Sequence, residues 1–88
     1  MTTSTAQPAS EVGAAGVEFS GDALLVSLTD GRVLQVPLNR VPWLAWLCQA
    51  TPEQRAHWSI EPGGFAVHWD DLDDGVEVRH LLALTPLA

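Results

Sequence analysis

The sequence predicts a small single α+β domain, with two β-hairpins forming a mainly antiparallel sheet and two or three short helices packed on one face. Three observations predict it. Apolar residues alternate with period two on both sides of an Asp30-Gly31 pair. They recur at helical spacing between Trp43 and Ala50. From Gly63 to Leu82 an alternating stretch, an acidic turn and a short apolar run follow one another. A chain of 88 residues allows one domain. Residues 1–16 (MTTSTAQPASEVGAAG) are small, polar and without periodicity, so they are expected to form a disordered lead-in to a domain spanning 17–88.

Val17 to Phe19 fits a short first strand. Ala23 to Thr29 alternates with Leu24, Val26 and Leu28 on one face, and Arg32 to Leu38 with Leu34, Val36 and Leu38 on one face. A two-residue loop at Asp30-Gly31 would split these sets between the two faces. A three-residue loop, Thr29-Asp30-Gly31, pairs Leu28 with Arg32, Val26 with Leu34 and Leu24 with Val36, so all the apolar side chains share the core face. Gly31 then takes the left-handed position, which glycine tolerates best.

Asn39 is the expected cap of a helix with Pro42 in its first turn and Trp43, Trp46, Leu47 and Ala50 on one face, Leu44 beside them. Pro52 breaks it. Thr51 caps a second helical turn running to about His57, with Pro52 first and Gln54 third, as a capping box requires. Trp58 to Glu61 alternates weakly as a strand, and Pro62-Gly63-Gly64 is a turn. Phe65, Val67 and Trp69 alternate with Ala66 and His68 to complete the second hairpin. Asp70 to Gly75 reads as a loop. Val76 to Leu84 reads as a last helix, with Val78, Leu81 and Leu82 inward and an end at Thr85-Pro86.

Charge narrows the functional classes. Eleven acidic residues face four Arg and no Lys, for a net charge of −7. Such a surface repels nucleic acid, whose phosphates need clustered cations. It attracts a basic partner, and it also keeps a small protein in solution. Cys48 stands alone in an apolar run (Trp43 to Ala50, WLAWLCQA), so no intrachain disulfide forms and a buried thiol is expected. No basic, long apolar leader and no membrane-length apolar run occurs, so a cytoplasmic location is expected and no membrane partner.

Three blocks carry a resemblance: Leu28–Leu38 (LTDGRVLQVPL), Ala50–Trp58 (ATPEQRAHW) and Gly63–Leu82 (GGFAVHWDDLDDGVEVRHLL). In this order the segment from about Asp22 to Leu82 resembles the bacterial domain-of-unknown-function family 2442. The resemblance implies a small α+β fold, no known catalytic residues, and an antitoxin or another partner-binding protein. Members usually carry Pro after His-Trp, where this chain has Asp70. They carry a Ser able to cap the last helix where this chain has Glu77. Asp74 therefore becomes the expected cap, with Glu77 closing the box.

The chemical cluster is His68-Trp69 followed by Asp70, Asp71, Asp73 and Asp74, with Glu77 just beyond. Its spacing lacks the alternation of a calcium loop, and aspartates before a helix stabilise its N-terminal dipole, so no metal is expected. His68 faces solvent, the other sheet face or a partner, and neither Ser59 nor Cys48 is placed near it by sequence as a nucleophile. His57 and His80 read as surface or structural. Trp46, Trp58 and Trp69 are assigned to the core, and Trp43 beside Arg40 to the surface as a partner anchor; family members tend to be polar at that position. The expectation is a non-enzymatic protein-binding module without a cofactor. Its candidate contact residues are Trp43, His68, Asp70, Asp71, Asp73, Asp74 and Glu77, and its partner is a basic protein. The alternative is a structural module that forms a homodimer through a free sheet edge.

Overall fold

A computed structural model describes residues 12–84. The α+β class and the antiparallel pairing hold, but the strands divide between two three-stranded sheets where one was expected. The first is formed by β1 (Ala14–Ser20), β2 (Ala23–Leu28) and β3 (Val33–Pro37) in that order. The second is formed by β4 (Trp58–Ile60), β5 (Ala66–Trp69) and β6 (Asp74–Glu77). Among the described residues there are three short α-helices: α1 (Ala45–Cys48), α2 (Pro52–Ala56) and α3 (Val78–Leu84).

β1 starts at Ala14, inside the stretch expected to stay unstructured to Gly16. The Gly13 N–H donates to Thr29 Oγ1 at 3.1 Å, and the Gly13 carbonyl accepts from the Thr29 N–H at 2.8 Å. These bonds fix the chain before its apolar alternation begins. The remainder of the lead-in lies outside the described residues. β2 and β3 adopt the three-residue loop: Leu24 pairs with Val36 and Val26 with Leu34, and the Leu28 N–H donates to the Arg32 carbonyl at 2.8 Å. Gly31 has φ +94°, as the loop requires. Leu24, Val26, Leu28, Leu34, Val36 and Leu38 are all buried.

The helical middle differs from expectation. After β3 the chain makes two 3₁₀ turns, Leu38–Arg40 and Pro42–Leu44, before α1. Asn39 lies inside the first turn and caps nothing, while Val41 occupies the cap position of the second; Pro42 holds its first position as expected. A 3₁₀ helix has three residues per turn, so residues three apart share a face. Leu38, Val41, Leu44 and Leu47 follow that spacing and are buried. The expected face of Trp43, Trp46, Leu47 and Ala50 assumed the α-helical period, and only Leu47 of that set is buried.

At α2 the capping box is present. The Gln54 N–H donates to Thr51 Oγ1 at 3.1 Å and the Thr51 N–H donates to Gln54 Oε1 at 2.9 Å. Thr51→Ala is expected to lower stability by about 1 kcal/mol, read as a fall in the urea midpoint at unchanged slope. An unshifted midpoint would show that α2 is held by its tertiary contacts alone.

The acidic segment is also rearranged. Asp74 begins β6 where a loop to Gly75 was expected, and α3 starts at Val78 instead of Val76. Ladder pairing decides this: Val76 lies opposite Val67, and the Val78 N–H donates to the Phe65 carbonyl at 2.8 Å. A helix begun at Val76 would give up those bonds. Asp74 therefore caps no helix; its carboxylate accepts from the Gly75 N–H at 2.8 Å, and Glu77 ends the strand. Val78 and Leu81 point inward as expected, and Leu82 is half-buried. The proposed end at Thr85-Pro86 lies outside the described residues.

One apolar core joins both sheets and the helices. The sheets also meet backbone to backbone at Gly13 and Gly64, where a Cβ on Gly13 would stand 2.7 Å from the Gly64 carbonyl oxygen. Gly64 itself has φ +76°, so neither position accepts a side chain without displacement.

Candidate functional site

The connection from β5 to β6 is a 3₁₀ turn, Asp70–Leu72, followed by Asp73 in the left-handed region at φ +50°. Asp tolerates that region better than most residues. Leu72 packs against the core and pins the turn, which leaves Asp70, Asp71, Asp73 and Asp74 exposed. Three carboxylates of the segment are held internally. Asp70 Oδ1 lies 3.0 Å from His68 Nδ1, Asp71 Oδ2 lies 2.7 Å from His57 Nδ1, and Glu77 Oε1 accepts from Arg79 Nε at 2.7 Å. Asp73 and Asp74 have no ion-pair partner among the described residues.

The Asp71 hydrogen bond, with the charges of Asp71 and Glu53, raises the His57 pKa above its ordinary 6.5. A raised folded-state value means that the charged imidazole stabilises the fold below pH 6.5 and that this contribution fades as pH rises through the folded pKa. The effect at this exposed pair is small. NMR titration of Asp71→Asn is expected to return the His57 midpoint toward its ordinary value, and an unmoved midpoint would remove Asp71 as the cause.

The register of the second sheet sets Ser59 directly opposite His68, a neighbour that the sequence alone did not reveal. His68 Nδ1 is held by Asp70. Ser59 and His68 make no hydrogen bond in this arrangement, and the open hollow described below is formed by other residues. Among the described residues no three His, Cys, Asp or Glu side chains gather as metal ligands.

Trp43 is 45% exposed, as expected for it alone among the four Trp. The Trp46 indole N–H donates to the Trp43 carbonyl at 3.1 Å, and the Trp43 ring stands edge-on to His80, with centroids 6.4 Å apart. Trp69 is fully buried, while Trp46 and Trp58 are half-buried against the core. Phe65, expected to begin the alternation of the second hairpin, instead has helical φ and ψ, precedes β5 and is 56% exposed. Cys48, expected to be buried, is half-buried on the wall of an open hollow of about 310 Å³ that Arg40, Val41, Pro42 and Ala45 also line.

Sequence reasoning missed Arg55. Its guanidinium donates to the Gly21 carbonyl at 2.9 Å, the Cys48 carbonyl at 2.9 Å and the Leu47 carbonyl at 3.3 Å, and lies 5.1 Å from the Phe19 ring centre. The only sequence signal for it was its place in the Ala50–Trp58 block.

The architecture defines a class: a small two-sheet α+β domain carrying an ordered acidic connection and an exposed indole. The family model "Protein of unknown function (DUF2442)" matches residues 14–85, and the chain belongs to that family. Two solved structures share the fold. A protein of unknown function from Rhodospirillum rubrum is 23% identical with TM-score 0.68, over 82% of this chain and 86% of that one. An uncharacterized protein from Chromobacterium violaceum is 23% identical with TM-score 0.66, over 81% of this chain and 64% of that one. No curated protein matches the chain. Among the described residues no helix is long and apolar enough to cross a membrane.

Proposed function

We propose that this chain is a non-enzymatic protein-binding module whose contact surface joins Trp43 to the acidic strand β6. The observation that supports this reading best is the packing of Trp43 on His80. His80 lies three residues beyond Glu77, so an aromatic anchor stands beside the end of a strand that opens with Asp74, directly after Asp73. Trp is the residue most often found as an energetic anchor in interfaces. Two carboxylates without an ion-pair partner among the described residues offer complementary charge to a basic surface and speed encounter with it. The partner in this reading is a basic protein met in the cytoplasm, and a toxin held by this chain as its antitoxin fits the description.

The test is affinity capture from the source cell followed by light scattering of the recovered complex. A stoichiometric basic protein is expected with the native chain. It should be lost with Asp73→Lys/Asp74→Lys and weakened with Trp43→Ser. Recovery of the chain alone would end this reading.

The outer face of the first sheet favours self-association as a second reading. Its central rows, Gly16-Ser27-Val33 and Glu18-Leu25-Gln35, carry one charge, at Glu18, and Val33 is 58% exposed. A dimer through this face would escape most of the repulsion between two acidic copies. Sedimentation that shifts with concentration, and loses that shift in Val33→Lys, would favour it.

A further inference from the structure

We propose that the hollow beside Arg40 is a second docking surface, one that accepts an apolar side chain of an acidic protein segment while Arg40 holds the neighbouring carboxylate. Three of the four Arg side chains are paired with carboxylates: Arg32 with Asp30, Arg55 with Asp22 and Arg79 with Glu77. Arg40 is exposed and has no such partner among the described residues. No acidic residue lines the hollow. The sequence from Gly31 to Pro52 contains no Asp or Glu, although the whole chain has eleven acidic residues. The acidic character of the protein is thus confined to other segments, and this wall presents one free cation to solvent.

Beside Arg40 the wall carries two uncharged polar residues, Asn39 and Gln49, and is otherwise apolar. Val41, Pro42, Ala45 and Cys48 supply carbon and sulfur surface. The hollow lies along the two consecutive 3₁₀ turns and α1, which supply its lining residues. Its volume, about 310 Å³, lies at the lower limit of small-molecule sites, and it is open to solvent. Such a site encloses too little of a free metabolite to retain it well. A protein segment needs only one side chain seated, and its remaining contacts can spread over the exposed Trp43. Charge complementarity selects the occupant: an Arg fork binds a carboxylate through paired hydrogen bonds, and a lysine-rich segment would be repelled there.

This surface has chemistry opposite to the acidic strip, so the two readings separate experimentally. The ¹⁵N-labelled full chain is titrated with the capped peptide Asp-Leu-Leu-Asp-Leu, and with the same peptide carrying Lys in place of Asp. Saturable shifts are expected for the backbone amides of Arg40 and Ala45 to Cys48 with the acidic peptide only. Arg40→Glu should weaken binding about tenfold or more, the worth of one charge-assisted hydrogen bond. Ala45→Leu, which fills the hollow, should weaken it as well. The Asp73→Lys/Asp74→Lys variant, which removes the acidic strip, should bind the peptide at least as well as the native chain. No saturable shift, equal shifts with the lysine peptide, or unchanged affinity in Arg40→Glu would each overturn the proposal. Concentration-dependent shifts at the same amides without peptide would replace it with a second copy as the occupant.

Discussion

Trp69→Ala is expected to cost roughly 3–5 kcal/mol, much of the stability available to a domain of this size. Trp69 is fully buried. Its ring stands edge-on to Phe19 at 6.2 Å and to Trp46 at 5.9 Å, and its indole N–H donates to the Arg55 carbonyl at 3.0 Å. Truncation removes three kinds of interaction together: buried area, two aromatic edges, and the partner of a carbonyl. Trp69→Phe keeps a ring and loses the hydrogen bond, so roughly half the penalty should remain. Urea unfolding followed by circular dichroism reads both, since fluorescence would lose a reporter with the residue. A loss below about 1 kcal/mol in Trp69→Ala would show that the cluster repacks and that the indole is not its centre.

Arg55→Ala is expected to cost about 2–4 kcal/mol. The side chain is 13% exposed, and its three carbonyl acceptors belong to the β1–β2 turn and the end of α1. Without the guanidinium, the last carbonyls of that helix lose donors in a half-buried place. Arg55→Lys should recover less than half, because one ammonium cannot span the fork. The Asp22 contact is long, at 3.4 Å, and its carboxylate is 61% exposed, so Asp22→Ala should cost no more than a few tenths of a kcal/mol. If Asp22→Ala cost as much as Arg55→Ala, the ion pair rather than the carbonyl bonds would be the important part.

Period-two patterning made the first sheet legible in the sequence. The β2–β3 register followed from a single demand, that Leu24, Val26, Leu28, Leu34 and Val36 share one face, which the three-residue loop meets and the two-residue loop does not. The capping box at Thr51 was legible because all its parts are local. The 3₁₀ run from Leu38 to Leu44 was hidden, since spacings of three and of 3.6 diverge only gradually over so short a stretch. β6 was hidden because Asp74-Gly75 is poor strand material, and only pairing with β5 makes it one. At the candidate site the exposure of Trp43 was legible. The Ser59–His68 pairing, the contact of Trp43 with His80 and the bonds of Arg55 were not, because each depends on residues distant in sequence.

The division into two sheets has a consequence for the route by which the chain folds. Each sheet is made of consecutive strands, so each can zip through short loops at little entropic cost. What joins them spans long separations: Gly13 against Gly64, Phe19 against Trp69, and Arg55 against Gly21. Docking of two preformed meanders is then the slow event, and the guanidinium bonds close only once it is over. Substitutions at Arg55 would accordingly hasten unfolding and leave the refolding rate almost untouched, a pattern that appears as a shift of one chevron limb.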